Sequence, residues 1–158
     1  MRRLLSGGLV VFAGVVSLPV GGSPHKAQPT PAPDIRPDPR FETLRRFFEK
    51  SDCPAREYAF AFLEAADYND LDWRLLPSIS YVESTGGKYA RHNNLFGWDA
   101  GNAQFRSPAD AIHAVGKRLA QSDLYRDKSL DEVLAIYNPN AAYARKVKSV
   151  MRRIAPLQ

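Results

Sequence analysis

A mostly α domain with a small loop-rich or β-hairpin lobe is what this sequence predicts, and three observations carry that expectation. Apolar residues recur at helical spacing from Phe41 to Ile154. Helix-start signals punctuate that stretch at Ser107-Pro108, at Ser129-Leu-Asp-Glu132 and at Asn140. The one long interval without a helical period, residues 85–106, holds four glycines, adjacent asparagines and several aromatics. With 158 residues, 44% apolar and 25% charged, the chain has the balance of one folded domain.

Residues 1–22 stand apart from that domain. Arg2 and Arg3 precede an uncharged run from Leu4 to Val20, the layout of a secretory signal peptide; a poor A-x-A pattern leaves an uncleaved N-terminal anchor, a possible membrane tether, as the alternative. Export to the periplasm, the cell envelope or the medium is expected either way. Residues 23–40 contain six prolines in eighteen positions and no amphipathic period, which predicts an extended linker. Residues 41–158 are the candidate domain.

Phe41, Leu44, Phe47 and Phe48 predict a first amphipathic helix ending near Ser51-Asp52. Pro54 is suited to the first position of a second helix, whose Ala55, Tyr58, Ala59, Phe62, Ala65 and Ala66 form one stripe while Arg56, Glu57, Glu64 and Asp67 stay wet; it should stop around Asn69-Asp70. A third runs from an Asp72 N-cap to Ser84 with Leu75, Leu76, Ile79 and Val82 inward, and Pro77 kinks it or delays its start. After the irregular lobe, with a hairpin turn expected at Ala100-Gly101-Asn102, a helix capped by Ser107 turns Ile112, Val115 and Leu119 inward. The next opens on the Ser129/Glu132 capping box and ends at Asn138-Pro139. The last is capped by Asn140 and aligns Tyr143, Val147, Val150, Met151 and Ile154.

Charge and cysteine content narrow the function. The formal charge is +5, but without Arg2, Arg3 and Lys26 the bases fall from 22 to 19 against 17 acids, a net of +2 and no concentrated nucleic-acid footprint. Arg145, Lys146, Lys148, Arg152 and Arg153 on the last helix form either a solvated face or a polyanion contact. A lone Cys53 excludes an intramolecular disulfide, and His25, His92 and His113 lack metal-site spacing, so no metal and no cofactor are expected.

Glu83 is the candidate acid. It follows Ile79 by four residues, within about 40° of a core-facing position, so its carboxyl should be partly desolvated and keep a proton near neutral pH. Gly86 and Gly87 would end the helix and open space beside it. The stretch HNNLFGWDAGNAQF, residues 92–105, joins amides to Phe96, Trp98 and Phe105, a combination suited to stacking on and bonding a sugar, or else to pinning a glycine-rich lobe. Tyr137 at a helix junction supplies a phenol for the cleft or for the core.

The segments LDWRLLPSISYVESTGGKY, NNLFGW and YNPNAAYARKV together resemble the lysozyme-like superfamily of peptidoglycan-cleaving glycosidases, of the bacterial endo-β-N-acetylglucosaminidase and lytic transglycosylase type, over about Pro54 to Ile154. The resemblance implies a lysozyme-like helical fold and cleavage of a β-1,4 bond between N-acetylglucosamine and N-acetylmuramic acid in glycan strands; a monomer is expected. It implies Glu83 as acid, Tyr137 approaching the scissile region, and a cleft lined from Asn94 to Trp98. Ser84, Asn94, Phe96, Trp98, Asn138 and Tyr143 make up the candidate substrate-binding set. The segment Gly-Leu-Met-Gln of many lytic transglycosylases is absent, and Tyr-Asn-Pro-Asn stands where glucosaminidases have Tyr-Ala-Thr-Asp, so the subclass stays open. Two-acid schemes need a partner carboxylate within roughly 5–9.5 Å. Asp99 is the candidate, with a turn-forming role as its alternative. Should Asp99 serve the turn, the sugar's acetamido oxygen or, as in lytic transglycosylases, its C6 hydroxyl would attack. A non-catalytic peptidoglycan-binding module and an envelope-assembly adaptor are the rival readings.

Overall fold

The computed structural model describes residues 38–156. The expected leader or anchor and nearly all of the linker lie outside the described residues. Within them the chain forms six α-helices and no strand, which bears out the mostly α expectation.

Helix α1, Pro39–Lys50, starts two residues before the first expected apolar position. The Asp38 carboxylate accepts from the Arg40 amide at 2.8 Å and Pro39 occupies the first turn, so this start signal falls inside the stretch that proline content assigned to the linker. Arg40 then reaches Asp67 at 2.7 Å, tying the start of α1 to the end of α2, Ala59–Tyr68. The second expected helix is in fact two pieces: Pro54–Tyr58 is a 3-10 turn and only the remainder is α. The Ala55 amide donates to the Gly86 carbonyl at 2.9 Å, an attachment that fixes this turn to the end of another helix.

Helix α3, Leu75–Ser84, begins three residues after Asp72. Asp72 caps the preceding turn instead, accepting from the Arg74 amide and guanidinium, and Pro77 sits in the first helical turn, where a missing N–H leaves no hydrogen bond unmade. Arg74 also donates to the carbonyls of Ala155 and Pro156, both at 3.0 Å, which clasps the start of α3 to the end of α6, Ala141–Ile154. Helix α3 ends on Thr85 in the left-handed region (φ 52°), with the Gly86 amide returning to the Ser80 carbonyl. A Cβ on Gly86 would stand 2.9 Å from that of Cys53, so Gly86 serves close packing against α1 and the 3-10 turn and opens no space beside Glu83.

Helices α4 (Pro108–Gln121), α5 (Leu130–Tyr137) and α6 carry the caps expected of them: Ser107, the reciprocal Ser129/Glu132 box and Asn140. Helix α3 packs on α6 and α2 on α4. Between them Phe48, Phe62, Leu76, Ile79, Phe96, Ile112, Leu134 and Val147 are wholly buried, each worth about 1.5–3 kcal/mol of transfer free energy. Residues 85–106 contain turns but no β-ladder, so the hairpin alternative gives way to the loop-rich one. Two bonds close the lobe in a ladder's place, Phe105 N–H to the His92 carbonyl and the Asn93 amide to the Phe105 carbonyl.

Candidate active site

Glu83 projects from the last turn of α3 into an open depression of ≈ 240 Å³ whose other walls come from the α5–α6 junction and the first turns of α6: Asn138, Asn140, Tyr143 and Lys146. As a residue Glu83 is exposed, yet its carboxyl is walled on two sides. One wall is Gly97. A Cβ built there would stand 2.7 Å from Oε2, and φ of +60° is a conformation glycine adopts without strain. The other is Tyr143, a buried side chain of α6. Desolvation raises the Glu83 pKa above the usual carboxylate value, and the adjacent Tyr143 phenol draws it partly back. The Tyr143 oxygen is buried without a formed hydrogen bond, so the two groups are neighbours whose bond is not closed in this state.

Gly97 is held in place by the residues around it. The Asn94 side chain donates to the Trp98 carbonyl and accepts from its amide, both at 2.9 Å, and the Tyr137 hydroxyl donates to the Phe96 carbonyl at 2.5 Å. Ser84 Oγ donates to the Leu95 carbonyl at 2.8 Å and accepts from the Gly87 amide. These side chains spend their polar groups on the fold. Ser84 and Asn94 are buried and Phe96 is fully so, which corrects the expectation that they contact substrate: they set the shape of the wall. Tyr137 is corrected likewise. Its hydroxyl is engaged by Phe96, and burial raises its pKa far above the phenol's ordinary value, so it buttresses the lobe. Its ring stacks on Tyr143 at 5.8 Å with 7° between planes. Of the two phenols, Tyr143 is the one with an uncommitted oxygen beside the acid.

Gly97 also borders a second depression of ≈ 200 Å³, lined by Trp98, Asp99, Ala100, Tyr125 and Tyr137. Trp98 is half-buried there, edge-on to Tyr137 and under the Arg118 guanidinium at 5.8 Å, with part of its ring open to a ligand. Asp99 is exposed, has φ +53°, and its carbonyl accepts from the Asn102 amide in a turn. The two expected carboxylates thus border adjacent depressions. Among the described residues, no carboxylate but Glu83 lines the first.

The expected set therefore divides. Glu83, Asn138 and Tyr143 meet in one depression and Trp98, Asp99 and Tyr137 in the next, while Ser84, Asn94 and Phe96 lie behind the walls. Sequence reasoning placed Gly97 only within the Asn94–Trp98 lining, without its contact to Glu83, and missed Asn140 and Lys146. Lys146 lies one turn beyond Tyr143 on α6, and its helical spacing could have placed it. Among the described residues, five of the eight non-glycine positions with positive φ, Thr85, His92, Asn93, Asp99 and Ala100, fall within residues 85–106. Two larger depressions, ≈ 600 Å³ over Phe41, Phe60 and Tyr68 and ≈ 410 Å³ beside Arg153, share no residue with these. Among the described residues no three His, Cys, Asp or Glu side chains gather as metal ligands. No family model, curated protein or solved structure matches the chain.

Proposed function

We propose that this protein cleaves β-1,4 bonds between N-acetylglucosamine and N-acetylmuramic acid in peptidoglycan glycan strands, on a lysozyme-like helical domain, with Glu83 as the single acid and base. The observation that carries the reading is the shielded Glu83 carboxyl, set between Gly97 and Tyr143 on the wall of an open depression. A raised pKa keeps a proton on Glu83 for the glycosidic oxygen as the bond from that oxygen to the anomeric carbon breaks.

The attacking group comes from the substrate. Glu83 has no carboxylate partner in its own depression, which favours the sugar's acetamido oxygen or C6 hydroxyl over an enzyme nucleophile. In the C6 route the O6–C1 bond forms, Glu83 takes the hydroxyl proton, and the product is a 1,6-anhydro end. In the acetamido route water opens the cyclic intermediate and leaves a reducing end. Asn138 and Asn140 supply amide groups for sugar hydroxyls, and the open part of the Trp98 ring offers a stacking face next door.

The test is Glu83→Gln, folded by circular dichroism, in a cell-wall clearing assay. Clearing should fall by about 10²–10⁴-fold, the usual worth of a general acid. Clearing at the unmodified rate removes Glu83 from the reaction. Mass spectrometry of the soluble products assigns the attacking group.

A further inference from the structure

We propose that the depression between α1 and the end of α6 is a binding site for an oligoanion, a ligand carrying two or more phosphate or carboxylate groups. Arg46 and Lys50, four residues apart on α1, meet Arg153 of α6 around a space of ≈ 410 Å³, with the Ser51 residue and the Phe47 ring in its lining. No carboxylate lines it. Glu42 is closest to serving these cations, but it pairs with Arg45 at 3.1 Å and stands 3.9 Å from Arg46. Among the described residues Lys50 and Arg153 pair with no carboxylate.

Basic side chains in a last helical turn ordinarily complement the helix dipole, and Lys50 and Arg153 both occupy last turns. That accounts for a charge at each end. It does not account for three cations converging on one recess, or for the way Arg153 is held. Its guanidinium lies over two rings at once, 5.5 Å from Phe47 and 5.4 Å from Tyr81. Stacking restrains a long side chain before any ligand arrives and leaves the N–H edge of the fork available for an oxyanion. Lys148 shows the contrast on the same helix: it is satisfied by Asp131. On α6, Lys148 is thus internally paired, while Arg153 is gathered with Arg46 and Lys50 for an anion.

The recess and the Glu83 depression are both bordered by α6. Lys146, in the Glu83 depression, and Arg153 are seven residues apart on α6, on one face and about 10 Å apart along the axis.

The test is binding without turnover, so that its result and that of the glycan-cleavage assay stand apart. Fluorescently labelled tripolyphosphate and labelled hexaglutamate are titrated by anisotropy against the full chain, against Arg46→Gln/Lys50→Gln/Arg153→Gln, and against a control triple, Arg91→Gln/Lys117→Gln/Arg145→Gln, that removes equal charge elsewhere. The first triple should lose about tenfold or more in affinity while the control stays within about twofold, since paired geometry rather than net charge sets the contact. The preferred probe identifies phosphate or carboxylate as the source chemistry. Because Arg153→Gln also removes stacking, the double variant Arg46→Gln/Lys50→Gln is measured beside it and should show a loss of the same sense. Equal weakening in both triples, or no binding of either probe by the unmodified protein, overturns the proposal.

Discussion

Gly97 separates two depressions that look alike on paper and differ in chemistry. Each joins a carboxylate to tyrosine: Glu83 with Tyr143 on one side, Asp99 with Tyr125 and Tyr137 on the other. On the first side the carboxyl is pressed against a glycine backbone and a buried phenol, and desolvation lifts its pKa. On the second Asp99 stands exposed at a turn, and the Tyr137 hydroxyl is already given to the Phe96 carbonyl. The difference teaches that a carboxylate acquires acid chemistry from its walls. Having tyrosines nearby is not enough when the carboxylate itself stands exposed, and the Tyr137 proton is already committed to the fold.

The sharpest way to break this comparison is to neutralise each carboxyl in turn. Against the loss of about 10²–10⁴-fold expected for Glu83→Gln, Asp99→Asn should keep cell-wall clearing within about twofold. A comparable loss at Asp99 would make the two depressions one bipartite site.

Next in size is the shared wall. Gly97→Ala adds a Cβ 2.7 Å from Glu83 Oε2 in a backbone conformation with φ +60°. The carboxyl must move, so clearing should drop by about 10- to 100-fold. Stability measured in urea should fall by about 1–2 kcal/mol.

The stacked tyrosines should separate in stability. Tyr137→Phe leaves the Phe96 carbonyl without its donor and should lower unfolding free energy by about 1–3 kcal/mol. Tyr143→Phe removes a buried hydroxyl that has no partner, so thermal unfolding should be unchanged or slightly later.

The smallest effect is a shift along the pH axis. A general acid works while protonated, so activity holds below the raised Glu83 pKa and declines as pH climbs through it. Tyr143 lowers that pKa, and Tyr143→Phe should therefore carry the alkaline limb to higher pH, an offset read directly from the pH–rate curve. Tyr137→Phe should not move the limb in that direction.

These contrasts also mark what a sequence can convey. The starts of α4, α5 and α6 were legible because their caps are local: Ser107, Ser129 and Asn140 bond amides two or three residues away. The stripe of α6 was legible because Tyr143, Val147, Val150, Met151 and Ile154 all face one core. Glu83 was legible as four residues beyond Ile79. What escaped is held by distant partners. The break of the second helix into a 3-10 turn depends on Ala55 meeting the Gly86 carbonyl, and the lobe's shape depends on Tyr137 meeting Phe96 across 41 residues. Phe96 and Asn94 sit in a glycine-rich stretch that reads either as a cleft lining or as a pinned lobe, and only their burial chooses the second. Gly97 was legible only as one residue of the NNLFGW stretch. Its meaning appears only when α3 delivers a carboxyl against it.

The most direct measurement is a titration of the Glu83 side-chain carbon by NMR in the unmodified protein, assigned by comparison with Glu83→Gln. A midpoint above the ordinary glutamate value, moving higher still in Tyr143→Phe, is the result predicted by a carboxyl shielded between Gly97 and Tyr143. A midpoint at or below the ordinary value would contradict it, and with it the assignment of Glu83 as the acid.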